Sequence, residues 1–275
     1  MLIKQKKQKE ILMARCFNGI TDAQWSKIKP FLPAKKNKTG RPFADLRKVI
    51  NSVLHVLFER SRWKSIPKGE NWAPKSTAYG WMKKLQQDGV LKKIKSELIK
   101  EADKKELIKW KNVLFDGTFS PGKGGGEQVE YGYKGKGSTI HAITDENGMF
   151  LNARISPANG NERLEVVKLL SASYICKNGS IENAHADKGY DSEAVRSDLR
   201  NIGIRPMIPY RNFKNRLPKK ATSQPKIRWK IERTFAWLKT KFRRIATRWE
   251  RKVDIWKGFL DLAIAMMWID KLVFG

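Results

Sequence analysis

At Lys111 the spacing of hydrophobic residues changes period, and that change limits the fold more than any other feature of the 275-residue chain. Before it, apolar residues recur at helical spacing. Thr21-Asp22-Ala23-Gln24-Trp25 reads as a helix start, with Thr21 as N-cap and Gln24 three residues on. Pro30 and Pro33 end that helix, and a polar linker, KKNKTGRP, follows. Ala44 to Arg60 carries Leu46, Val49, Ile50, Val53, Leu54, Leu57 and Phe58 on one face. Ser76 is expected to cap a further helix to Asp88, with Tyr79, Met82 and Leu85 inward, Lys75, Lys83 and Lys84 outward, and Gly89 just past its end. Val90 to Trp110 is highly charged and helical in pattern.

After Lys111 the pattern is that of a sheet. Asn112 to Phe115 is a short apolar run that stops at Asp116, and residues 119–137 are loose and glycine-rich. Ser138 to Thr144, the turn Asp145-Glu146-Asn147-Gly148, and Met149 to Ser156 predict a β-hairpin. A helix over 161–171, a strand over 180–186 ending at Asp187, a helix from Asp191 to Arg200 and a strand over 204–208 follow. Residues 211–225 form a basic, proline-containing loop. A long helix then places Ile227, Ile231, Phe235, Leu238, Phe242 and Ile245 on one face. The run from Phe259 to Ile269, interrupted by Asp261, reads as a buried core helix too short to span a bilayer. The expected architecture is α/β, a mixed sheet flanked by helices and preceded by an all-α region. Its divisions are a basic arm over 1–19, a helical region and connector over 20–110, and the sheet domain over 111–275.

The chain carries 57 Lys and Arg against 27 Asp and Glu, a net charge of +30. That excess points to a polyanionic partner, nucleic acid before an anionic membrane surface. With 40% hydrophobic residues the chain is not intrinsically disordered. Cys16 and Cys176 cannot supply a disulfide framework or a four-ligand zinc site, and both are expected as reduced thiols in a cytoplasmic protein. The basic helix after Ser76, following that over 44–60, fits a DNA-binding helix-turn-helix; a plain helical bundle is the alternative.

Three acids stand apart. Asp116 and Asp187 each end an expected strand, where open α/β sheets place ligand groups, although either also suits a turn or cap. Glu232 is the third. Between Arg216 and Lys252 there are 14 Lys and Arg but only two acids, Glu232 and Glu250. A carboxylate in that field is ionised. It serves either a helix ion pair with Arg228 or, beside Arg228, Lys239 and Arg243 on one face, a site holding a metal ion and phosphate together. Three carboxylates suit Mg²⁺, and two such ions about 3.5–4 Å apart can drive an in-line phosphoryl displacement. The stretch Gly122 to Gly126 matches no nucleotide-binding pattern and reads as a flexible loop, or one that follows a phosphate backbone. His55, His141 and His185 have no companion at metal spacing. Trp229, Trp237, Trp249 and Trp256 are core or rim candidates, with base stacking as the alternative.

LFDGTF, GSTIHAITDENG, ADKGYD and IERTFAWLKTKFRRIATRWER resemble blocks of bacterial insertion-sequence DDE transposases of the four/five type. ITDAQWSKIKPFLP and GRPFADLRKVINSVLHVL resemble the helical domain that precedes the catalytic domain there. The resemblance covers roughly residues 20–270, in the family's order. It implies a ribonuclease-H-like catalytic fold with Asp116, Asp187 and Glu232 as the catalytic, metal-binding triad. It implies Mg²⁺ or Mn²⁺, as two ions, and double-stranded DNA as partner, both element ends and target. It also implies strand cleavage at terminal inverted repeats, strand transfer from the exposed 3′-hydroxyl, and a homo-oligomer on DNA in a cytoplasmic, nucleoid-associated setting without a membrane partner. Arg228, Glu232 and Lys239 match the family's Tyr-x2-Arg-x3-Glu-x6-Lys motif, while Pro225 stands at the tyrosine position. The resemblance makes Arg228 and Lys239 phosphate contacts; Arg243, Lys83 and Lys84 are the further DNA-binding candidates. Three other readings remain: a nuclease of the same fold that cuts without joining, a non-enzymatic helix-turn-helix DNA-binding protein, and a decayed element product that binds DNA but no longer moves.

Overall fold

The computed structural model describes residues 17–34, 43–171, 181–211 and 227–275. Most of the basic arm, the linker around Gly40, both cysteines, Pro225 and nearly all of the proline-containing loop lie outside these residues.

The first helix, α1 (Asp22–Ile28), opens with the expected capping box: Thr21 Oγ1 accepts from Gln24 N, and Gln24 Oε1 accepts from Thr21 N. In α2 (Leu46–Glu59) the Asp45 carboxylate caps the N–H groups of Arg47 and Lys48. The next helix, α3 (Lys75–Gln87), starts before Ser76, so the expected serine cap is not made. Pro74 takes the N-cap position, and its carbonyl accepts from Ala78 N. Met82 and Leu85 are buried as expected, but Tyr79 is 39% exposed and stands edge-on to Trp63. Gly89, at φ +70, reverses the chain into α4 (Val90–Lys104). Residues 60–74, with a single 3-10 turn at Trp63–Ser65, separate α2 from α3. That connection is far longer than the turn of a helix-turn-helix. Packing of α2 on α3, and of α3 on α4, gives a small helical bundle instead.

The sheet comprises β1 (Asn112–Pro121), β2 (Glu130–Gly132), β3 (Gly135–Thr144), β4 (Phe150–Pro157), β5 (Asn183–His185) and β6 (Arg205–Met207). Antiparallel β4, β3 and β1 are followed by β5 and β6, which run parallel to β1; β2 pairs with the first residues of β3. The hairpin turn is where the sequence puts it. The Asp145 carboxylate holds it by accepting from Asn147 N, Met149 N and Lys109 N. The first strand differs from expectation, because β1 runs through Asp116 to Pro121. Residues 117–121 carry Phe119 among small and polar residues and proline and give no apolar run, yet β3 pairs with each of them.

Around the sheet lie α5 (Arg163–Leu170), α6 (Glu193–Asn201), α7 (Trp229–Lys241), α8 (Arg243–Ala246) and α9 (Val253–Phe274). Ser192, not Asp191, caps α6. Asp191 instead accepts from Arg196 Nε and from Arg211 N. The long helix expected after residue 226 breaks at Phe242, whose φ −110 and ψ 77 are not helical. As expected, α9 is a core helix, with Trp256, Phe259 and Trp268 fully buried. It packs on α4, and one continuous apolar core joins the helical bundle to the sheet. Among the described residues no helix is long and apolar enough to cross a membrane.

The glycine-rich stretch is packed, not free. A Cβ on Gly124 would lie 2.3 Å from Trp249 O, and one on Gly126 would lie 2.3 Å from Arg251 O. Only bare backbone fits between the two segments. Arg248, fully buried, closes the contact: Nε donates to Glu250 O at 3.0 Å and Nη1 to Ser138 Oγ at 2.8 Å. Arg244 pairs with Glu250 in the same interior at 2.6 Å. These two arginines, counted from sequence toward the cationic surface, belong to the core.

Candidate active site

The register of the parallel pair brings two of the acids together. Leu114 of β1 faces His185 of β5. Two residues further along each chain stand Asp116 and Asp187, and Asp187 is still extended at φ −78 and ψ 171. Adjacent strands lie about 4.8 Å apart, so acids at the same step, with the same side-chain alternation, become neighbours. Each carboxylate is braced by backbone. Asp116 Oδ1 accepts from Gly117 N at 2.8 Å, and Asp187 Oδ1 from Gly189 N at 2.6 Å, where Asp187 caps the 3-10 turn Lys188–Tyr190.

Glu232 arrives on the first turn of α7. That helix is seated on the hairpin turn. Thr234 Oγ1 donates to Gly148 O at 2.6 Å, and Arg233 Nη2 donates to Asn147 O at 3.1 Å. At its far end Lys239 Nζ donates to Phe119 O of β1 at 2.6 Å. Gly148 sits at φ +88, and a Cβ there would lie 2.7 Å from Thr234 Oγ1 and 3.0 Å from Lys230 O. Gly148→Ala should therefore push α7 off its seat and lower stability by about 1–3 kcal/mol in a thermal melt. Gly89→Ala is the control, because Gly89 has the same backbone handedness with nothing within 4 Å of its added Cβ, so only the conformational cost applies.

The three acids share one electrostatic field. Burial, with like charge from Asp187 and Glu232, pushes the Asp116 carboxyl up to about 6, against the pull of the Gly117 N–H and the Arg228 guanidinium. Glu232 is 61% exposed and pairs with Arg228 Nη2 at 3.7 Å, so the helix ion pair and membership of the acidic group hold together. Arg228 Nε is buried and has no hydrogen-bond partner among the described residues. Burial also holds the Lys239 ammonium below its usual range, with Lys134 adding to the effect. Among the described residues no three His, Cys, Asp or Glu side chains form a ready-made ligand cage.

The other sequence candidates lie apart. Arg243 falls beyond the break at Phe242, off the α7 face that carries Glu232. Lys83 and Lys84 are exposed on α3, and Lys84 Nζ lies 5.1 Å over the Trp81 ring. Trp256 is core. Trp229 and Trp237 are rim residues on α7, with the Arg233 guanidinium between their rings at 4.6 and 4.5 Å.

Sequence reading missed two groups at the acids. Burial and the charge of Asp187 push the Glu162 carboxyl up, while Lys134 and Arg211 pull it down. Tyr190 is buried, and its hydroxyl is held above its usual range by burial and by Glu162, Asp116 and Asp187. The signal for Tyr190 was its place in DKGYD, three residues after an acid and directly after a turn glycine. Glu162, in the turn before α5, gave none.

Residues 111–268, which hold the sheet, all three acids and most of α9, match the transposase DDE domain. The chain belongs to the transposase DDE domain family. Residues 20–95, the helical bundle, match a domain assigned to transposases of the IS4/5 family. A protein assigned as the transposase of insertion sequence IS402 in Burkholderia cepacia is 35% identical over 139 residues, which are 48% of this chain and 62% of that protein. This match thus spans about three-fifths of the relative's length. Another, assigned to insertion sequence IS6501 in Brucella ovis, is 28% identical over 47% of this chain and 96% of its own length. Among solved structures, the piggyBac transposase synaptic complex with hairpin DNA aligns at 12% identity and TM-score 0.46, over 93% of this chain and 74% of that one. The catalytic core of BIV integrase aligns at 13% identity and TM-score 0.34, over 58% and 82%. The expected mixed sheet is formed, with three antiparallel strands followed by two that run parallel to the first.

Proposed function

We propose that the chain is a divalent-metal-dependent DNA transposase, cutting at the ends of its element and joining the freed 3′ end to target DNA. The observation that supports this reading is the register that sets Asp116 and Asp187 at the same step of neighbouring parallel strands, with Glu232 close enough to act on Asp116, within a chain of net charge +30. An all-oxygen donor set suits Mg²⁺ or Mn²⁺ over softer metals. Asp116 and Asp187 would hold it, with Glu232 completing the set from α7. Bound there, the metal would acidify an attacking water or 3′-hydroxyl and neutralise charge on the leaving oxygen.

The chain's own residues supply the remainder. Arg228 stands beside Glu232 and Asp116 with an unused Nε–H, a donor for a phosphate oxygen. Lys239 uses one donor on Phe119 O, which fixes its ammonium at the base of β1 with two donors left for phosphate. The seat of α7 on Gly148 and Asn147 keeps Glu232 in place while DNA binds. A DNA-binding regulator needs the cationic surface but gains nothing from acids gathered around a buried Asp116.

The test is cleavage of a labelled duplex carrying the element end, with Mg²⁺ or with EDTA. Asp187→Asn and Glu232→Gln should each lower cleavage by at least about a thousandfold, in line with loss of a dominant electrostatic group, while end binding in a gel shift changes little. Full cleavage by either variant would remove that residue from the mechanism. Ends supplied already cut should still be joined to target by the wild type; failure to join would assign the chain to nucleases.

A further inference from the structure

Tyr190 ends the 3-10 turn that Asp187 caps, and its side chain is 2% exposed. Its buried hydroxyl has no hydrogen-bond partner among the described residues. A Cβ on Gly117 would lie 3.3 Å from Tyr190 Oη and 3.4 Å from His141 Nδ1. Both atoms therefore face the bare backbone immediately after Asp116. His141 Nδ1 is unpartnered too. Ser156 Oγ gives its hydrogen to Pro157 O and so accepts from His141 Nε2 at 2.7 Å, which leaves Nδ1 with its lone pair. The space beside Gly117 thus holds one unused donor, Tyr190, and one unused acceptor, His141, not bonded to each other.

A buried donor left unpaired destabilises the fold, and such costs collect where function needs the group. Of the proposed metal ligands, Asp116 precedes the glycine that Tyr190 Oη faces and lies within the field of that hydroxyl; its carboxylate is now turned onto the N–H of Gly117. To ligate a cation with Asp187, that carboxylate has to give up or share this bond. We propose that the Tyr190 hydroxyl is a positioning donor for Asp116, holding its carboxylate when it turns from the Gly117 N–H to ligate a divalent cation. Gly117 is part of the device, because a side chain there would stand against Oη. The inference rests on the metal reading above and adds a residue to it: the tyrosine hydroxyl comes from the turn after β5.

Tyr190→Phe in the full chain tests this with two readouts, neither of them activity. The first is stability without metal. Removing an unpaired donor should leave the melting temperature equal to that of the wild type or raise it. The second is Mn²⁺ affinity, from the free-Mn²⁺ signal in electron paramagnetic resonance. Loss of a group that orients a ligand should weaken binding about 10–100-fold. Unchanged Mn²⁺ affinity would overturn the proposal. So would a lower melting temperature, because the hydroxyl would then be serving the fold, through a water shared with His141 Nδ1. Asp116→Asn separates this inference from the reading beneath it. If the wild type, Asp116→Asn and Tyr190→Phe all bind Mn²⁺ equally, or none does, the metal site itself is refuted and the positioning role falls with it. If Asp116→Asn loses binding and Tyr190→Phe does not, only the role of Tyr190 is refuted.

Discussion

Asp116→Asn should abolish metal-dependent strand cleavage and, at pH 7 without metal, make the protein more stable than the wild type. The carboxyl is buried beside two other acids, and its pKa rises from an ordinary 3.8 to about 6. Above pH 6 the folded chain therefore holds a charge that the unfolded chain carries more easily. A shift of about two units corresponds to about 2–3 kcal/mol at most. The sign follows from proton binding. Between pH 4 and 6 the folded state keeps a proton that the unfolded state has lost, so wild-type stability falls as pH rises through that window. The Asn variant lacks this part of the slope, and the two proteins should converge in stability below about pH 4. Some slope remains in the variant, because burial also pushes Asp145 up to about 6. Urea unfolding at several pH values measures both curves. An Asn variant less stable than the wild type at pH 7 would show that Asp116 is bonded into the fold and not held there at a cost.

Lys95→Ala should cost about 3–5 kcal/mol, the largest loss expected from any single change outside the acidic group. Lys95 of α4 and Asp261 of α9 form an ion pair with both side chains more than nine-tenths buried. Asp261 Oδ2 has no further partner among the described residues. Removing the lysine leaves a buried carboxylate without its ion-pair partner. Lys95→Met with Asp261→Leu should recover most of the loss, because the core then holds no unpaired charge. The pair also joins the helical bundle to the sheet domain. Wild type should accordingly unfold in one transition, followed by denaturant with tryptophan fluorescence and circular dichroism together. Two separated transitions would mean that the bundle and the sheet are independent units.

The sequence reveals most where one physical rule acts locally. The capping box at Thr21 and Gln24, the turn at Asp145 to Gly148 and the apolar run of α9 each depend on a few neighbouring residues, and each is formed. The length of β1 was hidden because Gly117, Thr118 and Ser120 give no apolar run; pairing with β3 makes them strand. The split of the last basic helix at Phe242 was hidden for the opposite reason, since the apolar spacing continues across it. For Arg244 and Arg248, composition misled, because an arginine with a full set of acceptors can be core. At the candidate site, Asp116 and Asp187 stand out in the sequence as ends of expected strands, and Glu232 as one of two acids in a basic stretch. Tyr190 and Glu162 do not, since their nearness to the acids depends on how the turn after β5 and the turn before α5 fold toward one another.

Diffraction from crystals grown with Mn²⁺, collected at a wavelength where manganese scatters anomalously, would locate the ion directly. The expected result is a peak bound to the carboxylates of both Asp116 and Asp187, lost in Asp116→Asn crystals. Manganese bound elsewhere, or unaffected by Asp116→Asn, would contradict a shared metal centre at these acids.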